Sequence, residues 1–330
     1  MSRPAASFGL ATLLLLGSVV LSVSVGSEPV SLARLLHDPG SLDRTLIVSA
    51  RLPRIALAAL AGGGLSVVGA AFQALLRNPL ADPYILGVSG GAALGATIAI
   101  ALGASALSTL GLSVLPVAAF AGGLLATAVV YWVAHRAGPT SGTSILLAGV
   151  IVNALASALI TLVKTLVSAS RAQELLFWLT GFLDVPTPAS LAVVAFYVLV
   201  GSALLVRDAG QLNLLALGES SAQHLGVDLQ RLERRVFFAC SAVVGAIVSV
   251  TGLIGFVGLC VPHFLRRLSG PDHRTLLPLS FFVGAAALVL CDAAARVSFR
   301  RLGTEPPVGA VTALVGGPLF LLLLARKSGP

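Results

Sequence analysis

Residues 207–235 read RDAGQLNLLALGESSAQHLGVDLQRLERR, and they hold eight of the chain's 34 charged residues in 29 positions. Long apolar runs flank the stretch on both sides. A segment this polar is too costly to place in hydrocarbon, so it lies in water between two membrane spans. It is more than a linker. Leu212, Leu214, Leu215 and Leu217 lead to Gly218, and Glu219 to Leu225 leads to Gly226. Each half reads as a short helix stopped by glycine, the residue favoured just past a helix C-terminus. Two short helices in tandem on the loop of a membrane protein suggest a docking surface.

The composition supports the membrane setting. The 330 residues are 57% hydrophobic and 10% charged, against about 25% charged in an average soluble domain. Mean hydropathy is +0.99. At about 20 residues per span the apolar material suffices for roughly ten helices, leaving no room for a sizeable soluble domain. The chain therefore reads as one all-α membrane unit over residues 1–330. Its net charge of +8 comes from basic residues placed singly or in small groups at the ends of apolar runs. That is the placement of topology determinants and lipid-headgroup contacts, not of a nucleic-acid surface. Cys240, Cys260 and Cys291 all fall inside apolar runs without ligand spacing, so they read as buried thiols rather than metal ligands or disulfides.

The apolar runs are approximately 8–25, 55–76, 91–110, 114–133, 145–167, 191–206, 236–251, 253–265, 276–297 and 308–324. Residues 1–26 resemble a secretory signal, but the many later spans favour an uncleaved first helix. Ten spans put both termini on one side. With the termini inside, more of the Lys and Arg, including Arg326 and Lys327, fall on inner loops, which places 207–235 in the cytoplasm. Gly62, Gly63, Gly64, Gly69, Gly122, Gly123, Gly252, Gly255 and Gly258 signal closely packed helices. Gln73, Asn153 and Asp292 are the polar residues that stand out inside spans. Asp292 lies four residues before Arg296, so an intrahelical pair is expected.

Arg51 and Arg54 sit three apart at the outer start of the second span, and Arg296 ends the ninth on the same side. Three guanidiniums at one surface suit an acidic partner, with headgroup contact as the plainer alternative. Asn78-Pro79, Asp82-Pro83 and Gly87-Val88-Ser89-Gly90-Gly91 make a rigid cytoplasmic turn and the opening of a new helix. The stretch 255–266 carries Pro262 and His263 and reads as a short helix, a kink and a basic cytoplasmic end. Gly87-x-Ser89-x-Gly91 also fits a nucleophile elbow or, with His263 as base, an intramembrane serine protease, but neither strand context nor spacing supports the pairing. No P-loop, HExxH or His/Cys cluster occurs.

Taken together, Arg51-Leu-Pro-Arg54, Gln73 through Gly91, Leu147-Ala-Gly149, Leu214-Leu-Ala-Leu-Gly218-Glu219, Gly226, Gly255 through Arg266, Asp272-His273-Arg274, Leu277-Pro278 and Glu305 through Gly317 resemble one family. It is that of the FecCD-type ABC importer permeases, which carry vitamin B12, haem and iron–siderophore complexes. The segments run in family order from about residue 51 to the C-terminus. The resemblance implies a type II ABC importer permease: ten helices per subunit, a homodimer with the path between subunits, and two cytoplasmic ATPase subunits that use ATP and Mg. A periplasmic or lipid-anchored binding protein would deliver the cargo. The chain itself would bind no cofactor or metal and would sit in a bacterial inner membrane with both termini cytoplasmic. On that pattern Leu214, Leu215, Ala216, Leu217, Gly218, Glu219, Ala222, Leu225 and Gly226 couple to the ATPase. Arg51, Arg54 and Arg296 meet the binding protein, and the turn residues from Asn78 to Gly90 with Pro262 and His263 serve gating. Cys291 and Pro307 depart from the family's usual Ala and aliphatic residue. A secondary transporter using Asn153 and Asp292 as midplane ion sites is the alternative from another class.

Overall fold

The computed structural model describes residues 3–26, 28, 41–104, 107–109, 112–136 and 142–325. Ser27, Leu110, Arg326 and Lys327, which entered the sequence reading, lie outside them. Each of the ten apolar runs holds a helix: α1 (Arg3–Ser24), α3 (Leu52–Leu75), α4 (Val88–Ala101), α5 (Val114–Arg136), α6 (Gly142–Leu166), α8 (Pro188–Arg207), α11 (Leu229–Thr251), α12 (Val257–Ser269), α13 (His273–Leu302) and α14 (Val308–Ala325). Among the described residues four shorter helices join them: α2 (Leu42–Thr45), α7 (Ala169–Leu179), α9 (Ala209–Leu215) and α10 (Glu219–His224). A two-residue antiparallel pair, Ser108–Thr109 with Leu112–Ser113, precedes α5. Among the described residues seven helical runs are long and apolar enough to cross a bilayer, while α4, α12 and α14 are shorter.

Two boundaries differ from the sequence reading. The second span does not begin beside Arg51. Residues 42–75 form one 34-residue helical run, in which a π-helical segment (Leu46–Arg51) links α2 to α3. Pro53 lacks an N–H and its ring crowds the carbonyl one turn back, so the ladder widens there instead of stopping. The polar loop also ends earlier than residue 235. Asp228 caps α11 by accepting from the Arg231 amide at 3.1 Å, and the helix carries Arg231, Glu233, Arg234 and Arg235 on its first turns. Charge marks where water lies, not where a helix begins, and these residues are good helix formers.

The centre of the bundle is α3, with α13, α12, α11 and α8 packed around it. Its small residues explain why. A Cβ on Gly62 would collide with the Gly284 carbonyl of α13, and one on Gly69 with the Gly258 carbonyl of α12. Backbones this close gain dispersion contacts that larger side chains would forbid. Pro262 adds a second reason at the α12 crossing. It lies four residues after Gly258 and removes the amide that would bond that carbonyl inside the helix, and this is the carbonyl facing Gly69.

Candidate functional site

The element between α8 and α11 has two faces. Leu217 and Leu225 are 65% and 58% exposed, and Ala216, Glu219 and Gly226 are exposed beside them. Leu212, Leu215, Ala222 and Val227 are buried against the bundle. Leu215 and Ala222, expected among the contact residues, are thus anchors that hold the short helices in place. Leu214 is half-buried. Gly218 and Gly226 have φ of +110° and +86°, conformations that favour glycine and let the chain turn sharply after each short helix.

Three ties fix this element to different helices. Asp208 takes a two-pronged bond from Arg235 of α11, both contacts at 3.1 Å, and Arg235 also donates to Gln211 at 3.1 Å. Arg77, just past α3, pairs with Glu219 of α10, both side chains half in solvent. Asn213 of α9 donates to Asp272 at 2.6 Å and accepts from the His273 amide at 2.9 Å, at the start of α13. The amide of Arg274, and then Asn213, hold the Asp272 carboxyl below the usual carboxylate range. Asn213 was absent from the sequence-level candidates.

The turn after α3 is built as its residues suggest. Asn78 accepts from the Leu80 amide, and Asp82 caps a 3-10 turn (Pro83–Leu86) by accepting from the Tyr84 amide at 2.8 Å. Burial pushes the Asp82 carboxyl above the usual carboxylate range. Gly87 takes φ +88°. Ser89 donates its hydroxyl to the Tyr84 carbonyl. Near the middle of α6, Asn153 donates to the carbonyls of Tyr84 and Ile85 and accepts from the Gly90 amide at 3.1 Å. The Tyr84 hydroxyl in turn donates to the Ile254 carbonyl at 2.8 Å and accepts from the Ile254 amide at 3.1 Å. Ile254, in the break between α11 and α12, thus has both of its backbone groups satisfied inside protein, as irregular backbone away from water requires. Pro79 is half-buried in the same turn, and Pro83 packs on Gly258. His263 sits on α12 with its ring against Phe320. Asn153 and Ser89 are thus engaged with main chain, which leaves neither as an ion ligand or a nucleophile paired to His263.

At the opposite end the three guanidiniums expected to face water turn inward. Asp292 is fully buried and accepts from Arg54 Nε at 2.9 Å and from Arg296 Nε at 3.0 Å, the expected intrahelical pair. Arg54 also pairs with Glu305, in the loop before α14. Arg51 donates to the Val23 carbonyl at 2.6 Å, and Arg296 to the Ser22 carbonyl at 3.1 Å and the Val25 carbonyl at 3.3 Å. The last turn of α1 has carbonyls with no helical donor and a partial negative charge, and these two cations satisfy both. Their orientation follows from α1, which no local pattern around residue 51 or 296 reveals. Among the described residues no group of His, Cys, Asp and Glu could hold a metal, and the three cysteines are free thiols.

A model of the FecCD transport family matches residues 13–326. The chain belongs to that family. The cobalamin import system permease protein BtuC of Halobacterium salinarum is 44% identical over 86% of this chain and 74% of its own length. The Fe(3+)-citrate import system permease protein YfmD of Bacillus subtilis is 34% identical over 97% of this chain and 94% of its own. Among solved structures, an inward-facing conformation of a metal-chelate type ABC transporter superposes with a TM-score of 0.87 at 34% identity. It covers 98% of this chain and all of that one. This FecCD permease is thus a transport subunit of a type II ABC importer, a membrane protein whose ATPase activity lies in a separate partner.

Proposed function

We propose that this FecCD permease works as a homodimer in a cytoplasmic membrane, both termini inside, and imports a bulky metal chelate between its two copies. The observation that carries the reading is the element at 208–228. Its exposed Leu217 and Leu225 stand ready for a partner, while its other face is tied to α3, α11 and α13. Two ABC ATPases dock there, and their closure on ATP and Mg shifts the helix arrangement; a few kcal/mol suffice to switch the population. The permease itself forms one membrane unit and needs no cofactor or metal. The second copy covers the apolar face of α6, where Leu147, Ile151, Leu155 and Leu162 are exposed.

At the outer end an acidic binding protein meets Arg44 and Arg301, which are exposed. Arg51, Arg54 and Arg296 shape that end from within. For cargo, the likeness to the Halobacterium salinarum cobalamin permease puts a corrinoid ahead of ferric chelates and haem. The test is uptake and ATP hydrolysis in liposomes holding the permease and its ATPase, with binding protein and each chelate added in turn. Stimulation by one loaded binding protein names the cargo. Uptake that needs a proton or sodium gradient, with no ATPase bound, would return the argument to an ion-driven carrier.

A further inference from the structure

The turn Asp272-His273-Arg274 lies far in sequence from the coupling element but joins it in space. Asp272 caps α13 by accepting from the Arg274 amide at 2.9 Å. Asn213 completes that cap from another segment. Its Nδ2 donates to Asp272 Oδ1 at 2.6 Å. Its Oδ1 accepts from the His273 amide at 2.9 Å and lies 2.7 Å from His273 Nδ1, which must carry the proton because Asn Oδ1 only accepts. One side chain on α9 therefore grips the first turn of α13 through three bonds, one of them to a charged carboxylate.

Of the three ties, this one reaches farthest. The Asp208–Arg235 bond joins α9 to α11, the next long helix in the chain. The Arg77–Glu219 pair is half in solvent, where ion pairs contribute little. The grip of Asn213 leads into α13, a 30-residue helix about 45 Å long at 1.5 Å per residue, whose far end carries Asp292 and Arg296. Gly62 and Gly284 lock α13 to α3 backbone on backbone, so the two helices answer as a unit. We infer that Asn213 is the positioning residue that carries movement of the coupling element into the α3–α13 pair, a role that rests on the ATP-driven reading above.

The test is a swap of donor and acceptor in the purified complex of permease and ATPase. In Asn213→Asp the side chain loses its donor and repels Asp272. In Asn213→Asp combined with Asp272→Asn the donor returns from position 272: that bond re-forms with reversed polarity, and the two bonds from His273 to position 213 keep their direction. The expected result is a roughly tenfold fall in cargo moved per ATP hydrolysed for the single variant, with recovery in the double variant. A purely structural role would change the yield and melting temperature of the complex but not that ratio. Hydrogen exchange at the His273 amide supplies a second readout and should quicken in Asn213→Leu. An unchanged ratio in Asn213→Asp, or no recovery in the double variant, overturns the inference. A wild-type chain that binds no ATPase instead overturns the importer reading beneath it.

Discussion

Replacing Asp292 with alanine removes the buried carboxylate that accepts from both Arg54 and Arg296 inside the bundle. It accepts from Arg54 Nε at 2.9 Å and Arg296 Nε at 3.0 Å, Arg54 Nη2 lies 2.8 Å from it, and none of it reaches the surface. Breaking a buried pair by truncating one member costs about 3–5 kcal/mol, because the surviving cation keeps its desolvation penalty. Here Arg54 retains Glu305, and Arg296 retains the carbonyls of Ser22 and Val25. The expected loss therefore lies at the lower end, about 3 kcal/mol. Asp292→Asn, which keeps an acceptor oxygen but no charge, should cost about half as much.

Unfolding in detergent, followed by the fluorescence of Trp132 and Trp178, measures the difference. About 3 kcal/mol corresponds to a fall in melting temperature of roughly 4–5 °C for a chain of 330 residues, at about 2.1 cal/mol/K of unfolding entropy per residue. Glu219→Ala is the matched control, since it removes an ion pair whose side chains are both 46% exposed and should cost under about 1 kcal/mol. The triple variant Asp292→Leu, Arg54→Met, Arg296→Met tests the cause. If stranded charge is what destabilises the single variant, replacing all three groups with apolar side chains restores most of the loss. A single variant within about 1 kcal/mol of wild type, or a triple variant no better than the single, refutes the reasoning.

Gly69→Ala drives a methyl into the Gly258 backbone, which cannot swing aside as a side chain could, so α3 and α12 must part at a cost of about 1–3 kcal/mol; a melting curve checks it. Asn153→Leu leaves the Gly90 amide and the Tyr84 and Ile85 carbonyls without that partner and should cost at least about 2 kcal/mol by the same measurement. Gly218→Val meets no neighbour within 4 Å but must hold φ +110°, a local strain of about 1–3 kcal/mol; transport should fall while the fold persists, and full-rate transport would count against the coupling role. The lowered pKa of Asp272 means that its contribution to the first turn of α13 is present above the usual Asp value. That contribution fades as pH falls through the lowered folded value, so hydrogen exchange at residues 273–275 should stay slow down to about pH 4 and rise only below it.

The spans were legible because a bilayer demands about 20 apolar residues, and all ten runs hold helices. The 3.6-residue period likewise made the Asp292–Arg296 pair readable, and the two glycines made the short helices readable. What escaped were groups whose partners lie far along the chain. Asn213 is one polar residue in a polar loop, and its partners are 59 and 60 residues away. Tyr84 and Ile254 are separated by 170 residues, and nothing local says that a tyrosine hydroxyl will serve both polar groups of one backbone unit. Arg51 was read as water-facing because its run begins there. Its true environment is set by the C-terminal carbonyls of α1, which only the packed bundle brings within reach. The amphipathic α7 also escaped, although its Arg171 donates to the Ala101 carbonyl and so caps the end of α4.

The ties at the two ends of the α3–α13 pair differ in kind, and the difference bears on which end moves. The end away from the 208–228 element is held by buried charge: Asp292 cannot leave Arg54 and Arg296 without stranding cations in low dielectric, a barrier of several kcal/mol. At the end beside the 208–228 element the Arg77–Glu219 pair is half in solvent and Arg235 is half-exposed over a buried Asp208, so water reaches one or both partners, and a net hydrogen bond there is worth about 1 kcal/mol. On the coupling proposed above, an ATPase that supplies a few kcal/mol rearranges the contacts beside the 208–228 element without opening the Asp292 cluster. The break at residues 252–256 adds compliance on the same path. Gly252 turns at φ +66°, and Phe256 holds φ +69° with its side chain packed over Gly316, where a Cβ would approach within 2.6 Å. On the coupling proposed above, a push from the 208–228 element therefore meets least resistance in the half of the bundle beside it, while α13 stays clamped through Asp292.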